Sequence, residues 1–349
     1  MRLILLFSSL LLVCSTANAN SLQKKDVSLD SLNHINAKLA FTCVHEKIPT
    51  ASREADVLFH YARWLQKNNQ LKQDKTVDAE VERLYRIAAE NQHYKANVNL
   101  QNGTARGQFE LSGEEVLRLS QQLIDAKVAT GYYLIATYLQ RGVAGLQQDP
   151  EMALRYYRKA ADEGNAQAQA YVADKLEPLN AAPDIARKMR WCAAEQGNGA
   201  AAVALGNDMM IHKNYQKALE AFQLGVAGGD ESAPSFLGNG FKSQNSDNSL
   251  YYLGQEEDLE RADRYKKIWK VLSDWSYANP TVPEINDIVP LPPAKLPAWD
   301  GKLKWVEERK ANVQPPKPTE ALIEQLAKAK LLDPKTGKPL PESPLYEKN

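Results

Sequence analysis

The sequence is short of the residues that most site chemistries need. Five His and three Cys are scattered over 349 positions, which argues against a zinc-rich or disulfide-dense protein. Neither charge sign is in excess, with 43 Lys and Arg against 43 Asp and Glu. That balance excludes a nucleic-acid binder working through bulk positive charge, because phosphate neutralisation needs a cationic surplus. Beyond the first twenty positions, no apolar run approaches the roughly 18 residues of a membrane-spanning helix. H-E-x-x-H, G-x-S-x-G, Walker A and EF-hand runs are missing, so no local motif proposes catalysis. What is present is ordinary: 44% hydrophobic and 25% charged residues, enough for a real core and too apolar for a disordered polyelectrolyte.

Partial motifs read as structure. Gly197-Asn198-Gly199-Ala200-Ala201-Ala202 matches G-x-G-x-x-A, but a dinucleotide site needs it between a strand and a helix, and here two helices flank it. Cys43-Val44-His45-Glu46 gathers three ligand types, yet residues this close rarely complete a coordination sphere and no second cluster follows. His34, His60, His93 and His212 are isolated, and Glu256-Glu257-Asp258 reads as a solvated helix start. No cofactor or metal is implied.

The N-terminus reads as an address. Arg2 precedes the apolar run from Leu3 to Val13, and Ala17-Asn18-Ala19 supplies the small residues a signal peptidase needs. Residues 1–19 are therefore expected to be removed, leaving an exported, periplasmic chain that starts at Asn20. Val13 stands where a lipobox needs a small residue, so Cys14 is not expected to be lipidated. Cys43 and Cys192 then remain. An oxidising compartment permits a bridge between them, but the plainer reading of Cys192 is a small buried apolar residue on a helix, without one.

A repeat sets the architecture. Ala160-Ala161-Asp162-Glu163-Gly164-Asn165 returns as Ala193-Ala194-Glu195-Gln196-Gly197-Asn198, an offset of 33, and the Gly recurs at Gly229 after a further 32. Ile87-Ala88-Ala89-Glu90 and Leu123-Ile124-Asp125-Ala126 are weaker copies; in the first, Asn91-Gln92-His93 replaces Gly-Asn. Such a period marks stacked helical hairpins. Asp149-Pro150 offers an N-cap and a first-turn Pro, Leu154, Tyr157 and Ala161 form an apolar face, and Gly164 tolerates the left-handed conformation that ends a helix. Of Tyr132-Tyr133, Tyr156-Tyr157 and Tyr251-Tyr252, one of each pair is expected in the core.

The expected organisation follows: 20–76, an N-terminal extension with a capping helix (Val57, Leu58, Tyr61, Ala62, Leu65); 77–242, the repeats; 243–278, a helical cap with Leu259, Ala262, Tyr265, Ile268, Trp269 and Leu272 on one side; and 279–349, a Pro-rich strap. Six prolines between Pro280 and Pro297 demand extended chain, and a last helix is expected from Thr319 to Lys330. The strap's Ile285, Ile288, Val289, Leu291, Leu296, Trp299 and Trp305 are too apolar for a free linker, so it should pack back along the solenoid.

The stretches 129–142, 149–165 and 186–206 resemble the Sel-like repeat, a relative of the tetratricopeptide repeat. The resemblance covers about 77–242 and implies an all-α, right-handed solenoid whose first helices line a concave face. By that resemblance, the exposed concave positions are Lys95, Asn102 and Arg106; Thr130, Tyr133, Thr137 and Arg141; Gln167 and Asp174; Asn207 and Met210; and Asn239 and Lys242. Mixed polar and aromatic, they suit a protein partner. The signal peptide, the repeats and the strap from Asp287 to Gly301 together resemble exported Gram-negative proteins similar to the periplasmic immunity proteins of type VI secretion phospholipase effectors. The resemblance implies binding without catalysis, to a toxin such as a phospholipase D-like lipase. An envelope scaffold or regulator, and an exported hydrolase with a site built from distant residues, are the alternatives.

Overall fold

The computed structural model describes residues 39–177, 182–242 and 250–346. The expected signal peptide lies outside the described residues. Among those residues the chain forms fifteen α-helices, one 3-10 turn and a single isolated bridge between Leu332 and Pro339. Helices α1 (Arg53–Asn69) and α2 (Lys75–Glu90) form the first hairpin, followed by α3 (Tyr94–Ala105) with α4 (Gly113–Asp125), then α5 (Thr130–Arg141) with α6 (Pro150–Asp162). Helices α7 (Ala166–Leu176) and α8 (Pro183–Glu195), α9 (Gly199–Ile211) and α10 (Tyr215–Ala227), and α11 (Ser232–Gly240) and α12 (Leu259–Asp274) complete an all-α solenoid in which each helix packs on the next.

One turn is reused five times. Between hairpins a single residue takes positive φ: Gln92 (64°), Lys127 (60°), Gly164 (105°), Gly197 (85°) and Gly229 (85°). In each case the next residue's N–H reaches back to a carbonyl five residues earlier: His93 to Ala88, Val128 to Leu123, Asn165 to Ala160, Asn198 to Ala193 and Asp230 to Gly225. This is the Schellman closure of a helix. The residue after the turn then caps the next helix: Asn165 Oδ1 accepts from the Ala168 N–H at 2.9 Å and Asn198 Oδ1 from that of Ala201 at 3.0 Å. In the divergent first copy His93 Nδ1 does the same for Ala96 at 3.0 Å. The missing Gly-Asn is thus an exchange of one capping acceptor for another.

The facing expected for α6 needs correction. Its buried residues are Ala153, Tyr157, Ala160 and Ala161, whereas Leu154 is 44% exposed. The largest apolar side chain does not mark the centre of the stripe. Close helix approach favours the small Ala153 there, and Leu154 sits one position, about 100°, off it. Likewise Leu259 and Trp269 of α12 are exposed, while Arg261 and Arg264 are buried beside Ala262, Tyr265, Ile268 and Leu272. Of the tyrosine pairs only Tyr157 is fully buried; Tyr132, Tyr133, Tyr156, Tyr251 and Tyr252 are half-buried.

Those two arginines explain the strap. A Pro-rich chain has few N–H groups to pair its carbonyls, so donors must come from elsewhere. Arg264 donates to the Ile288 carbonyl at 2.8 Å, Gln223 to that of Val289 at 2.7 Å, and Arg261 to those of Pro290 and Ala294. Val282, Ile285, Ile288, Val289 and Leu303 enter the core built by α10, α11 and α12, as expected of a strap that packs back. It is not extended throughout: α13 (Ile285–Ile288) and α14 (Lys304–Ala311) form in stretches free of proline. The last helix, α15 (Glu320–Lys328), is capped by Thr319 and inserts Ile323 and Ala327, with Leu332, into the core of the first hairpin. The strap therefore runs from the last hairpin to the first.

The N-terminal arm is also a strap. From Leu39 it crosses three successive turns: the Glu46 carboxylate accepts from the Thr130 N–H and hydroxyl, and the Glu46 N–H donates to Gly164 and Gln196. Gln169 donates to the Val44 carbonyl at 2.9 Å and Arg158 to that of Ala40 at 2.8 Å. A disulfide joins Cys43 to Cys192 of α8, resolving the choice that the sequence left open.

Candidate functional site

The positions assigned to the concave face come from the first helices of the hairpins or the one or two residues that follow them, Arg106 after α3 and Lys242 after α11. Tyr133 and Thr137 meet around Tyr157: the tyrosine rings are edge-on at 5.7 Å, and the Thr137 hydroxyl lies 3.3 Å from the Tyr157 hydroxyl. Tyr157 in turn donates to Gln140 at 2.7 Å and faces Tyr171 at 3.9 Å. Arg141, at the end of α5, is exposed, as are Lys95 at the start of α3 and Gln167 at the start of α7. The exposed Asp174 accepts from the buried Arg190 at 2.9 Å. Asn207 is half-buried, and Met210 packs partly against the C-terminal core. Asn239 and Lys242 line a shallow groove of about 210 Å³ beside Trp269. Thr130 departs from the expected exposure, because Glu46 of the arm and Asn165 occupy its polar groups.

Asn102 and Arg106 open onto something the sequence did not disclose. The strap's arrival at the first hairpin leaves two adjoining cavities, of about 610 and 480 Å³, which share Arg63 and Lys67 of α1. The larger is bounded by α1, the end of α3 and the 3-10 turn Ser276–Ala278; the smaller by α1 and α14. The floor is a polar network. Tyr85 donates to Gln66 at 3.0 Å, Gln66 to Gln108 at 2.9 Å and Gln108 to Asp78 at 2.8 Å. Burial pushes the Tyr85 hydroxyl up to about 12, so it stays a donor.

The cleft is cationic. Burial first, then the neighbouring Arg63 and Arg309, lower the pKa of Lys67, with Glu308 opposing. Burial and Arg63 also lower that of Arg106. Both shifts have the same sense: positive charge is held where solvent and counter-charge are reduced. Arg63 and Lys67 sit four residues apart on the cap helix, a spacing visible in the sequence. That Arg309 would approach them from more than two hundred positions away was not visible.

The Cys43, His45 and Cys192 ligand atoms lie within 4.8 Å of one another. The sulfurs are bonded together, and His45 pairs with Glu195 at 3.4 Å. A disulfide has no thiolate to offer a metal, so this cluster is a staple. Among the described residues no helix is long and apolar enough to cross a membrane.

Residues 233–340 match a family model described as a domain of unknown function, DUF6396. That span begins in α11 and runs through most of the strap, α15 included. No curated protein matches the chain significantly. Among solved structures, the immunity protein Pa5087 of Pseudomonas aeruginosa is 26% identical with a TM-score of 0.55, over 73% of this chain and 95% of that one. The immunity protein PA5088 of the same organism is 25% identical with a TM-score of 0.56, over 72% and 94%. The Pseudomonas aeruginosa protein PA5086 is 27% identical with a TM-score of 0.54, over 72% and 95%. The chain is thus an all-α solenoid of helical hairpins that resembles these immunity proteins in sequence and architecture.

Proposed function

We propose that this chain is a periplasmic immunity protein that binds and neutralises a phospholipase effector of type VI secretion, acting by occlusion and not by catalysis. The observation that carries the reading is the likeness to two immunity proteins over nearly their whole length. The disulfide supports export, since such bonds persist in oxidising compartments. The partner surface is proposed along the first helices, at Lys95, Arg106, Tyr133, Thr137, Arg141, Gln167, Asp174, Asn207, Met210 and Asn239, continuing into the cationic cleft.

The test is co-expression with a type VI secretion phospholipase effector, directed to the periplasm of a sensitive host. Growth should be rescued by the full chain and lost when its first 19 residues are deleted. A chain that binds no such effector in calorimetry and rescues no growth would end the reading. N-terminal sequencing of the periplasmic product should begin at Asn20.

A further inference from the structure

A chain with equal numbers of acidic and basic residues concentrates unpaired cations in one place. Arg63, Lys67, Lys72, Arg106 and Arg309 line the two joined cavities, and among the described residues none lies within 4 Å of a carboxylate. Two carboxylates share the lining. Asp78 already accepts from Asn69 and Gln108 and pairs with Lys75, and Glu308 stands at the α14 side. Arg309 is stacked over Trp275 and Trp305, 5.9 and 5.8 Å from their rings, so it is held rather than loose. Holding like charges together in a half-enclosed cleft costs free energy that an incoming anion would return.

We infer that this cleft seats an extended acidic segment of the protein partner, with its carboxylates on Arg63, Lys67 and Arg106. The inference deepens the immunity reading and rests on it for the partner being a protein. Three features favour a peptide. The walls carry side-chain amides, Gln70, Gln73, Asn99 and Asn102, and an amide both donates and accepts, as a peptide group does, whereas the phosphodiester of a lipid headgroup only accepts. The joined cavities are lined along α1 from His60 to Asn69 and past its end to Gln73, which suits a chain better than a compact ion. Leu71 and Val313 stand at the edge, 71% and 80% exposed, where a polypeptide can cover them and an inorganic ion cannot.

The mature full chain would be titrated into a fluorescein-labelled peptide of alternating glutamate and glycine, followed by anisotropy at low and physiological salt, with the lysine-glycine peptide as control. The glutamate peptide should bind, more weakly as salt rises, and the lysine peptide should not. Lys67→Glu/Arg106→Glu should weaken binding at least tenfold, as should the neutral Lys67→Gln/Arg106→Gln, which guards against misfolding of the reversed variant. Lys188→Glu on α8, an exposed lysine outside the cleft, should change nothing. Unchanged affinity in both double variants, or no binding at low salt, would overturn the proposal. So would displacement of the peptide by submillimolar inorganic phosphate, or co-sedimentation with phosphatidylglycerol vesicles that the double variants abolish. The two readings fail separately: double variants that still rescue growth against the effector remove the cleft and leave immunity standing, whereas a wild-type chain that binds the peptide but rescues nothing removes immunity.

Discussion

Asn68 and Asn312, 244 residues apart, exchange side-chain amide hydrogen bonds: Asn68 donates to Asn312 at 3.1 Å, and Asn312 donates back at 2.8 Å. This pair sits where the strap reaches the cap helix, next to Trp64, whose indole donates to the Asn312 carbonyl at 3.4 Å. The contact joins the middle of the strap to the start of the solenoid, and with it the two walls of the smaller cavity.

Truncation after Val313 should therefore damage the opposite end of the chain. It removes Ile323, Ala327 and Leu332 from the first hairpin's core, and the Glu320 and Pro334 partners of Arg83. Each large apolar side chain contributes about 1.5–3 kcal/mol on burial. Hydrogen exchange should accelerate in α1 and α2 while α7 to α10 stay protected. Equal acceleration everywhere would mean that the strap supports the whole solenoid and not one hairpin.

Stability should separate two neighbours on α6. Tyr157, 3% exposed, packs with Ala153 and Ala161, and Tyr157→Ala should cost about 3–5 kcal/mol. Leu154→Ala should change the unfolding free energy from urea titration by less than about 1 kcal/mol, as expected of a surface position. Comparable losses would restore the facing that periodicity suggested.

Reduction should free the arm. The bridge closes a loop with a sequence separation of 149, and removing a native disulfide typically costs about 2–5 kcal/mol. Cys43→Ser/Cys192→Ser should lose stability in that range, with faster exchange over residues 40–46. Gly164→Val should act on the same contact by another route. Gly164 combines φ of 105° with an approach that would put a side chain 2.6 Å from the Glu46 nitrogen. The expected result is release of the arm and a loss of about 1–3 kcal/mol. A variant whose arm exchanges as slowly as wild type would contradict the role given to this glycine.

The first turn should be sensitive to mild acid. Burial lowers the pKa of His93, against the opposing effect of Asp56 at 3.3 Å, and its Nδ1 must stay unprotonated to accept from Ala96. The unfolded state then binds a proton at higher pH than the folded state, so stability falls as pH drops through about 6.5 and below, until the folded histidine itself titrates. His93→Asn should keep the cap, as Asn165 and Asn198 do, and flatten that part of the stability curve. The same slope in the variant would assign it to other groups.

What the sequence by itself determined is local. The repeated Gly-Asn turn, the Asp149-Pro150 cap, the Pro-rich strap with its apolar anchors and the last helix are each written within a few residues, because helix period, capping and proline sterics act at that range. The absence of catalytic motifs was legible in the same way. The tertiary structure decided what depends on the geometry of stacking. Ala153, and not Leu154, faces the neighbouring helix because the closeness of that approach is set between helices. Cys43 meets Cys192, Glu46 bridges Thr130 and Gln196, and Arg309 joins Arg63 and Lys67, because small rotations between successive hairpins accumulate until distant segments meet. That accumulated path, invisible to any local pattern, builds the cationic cleft.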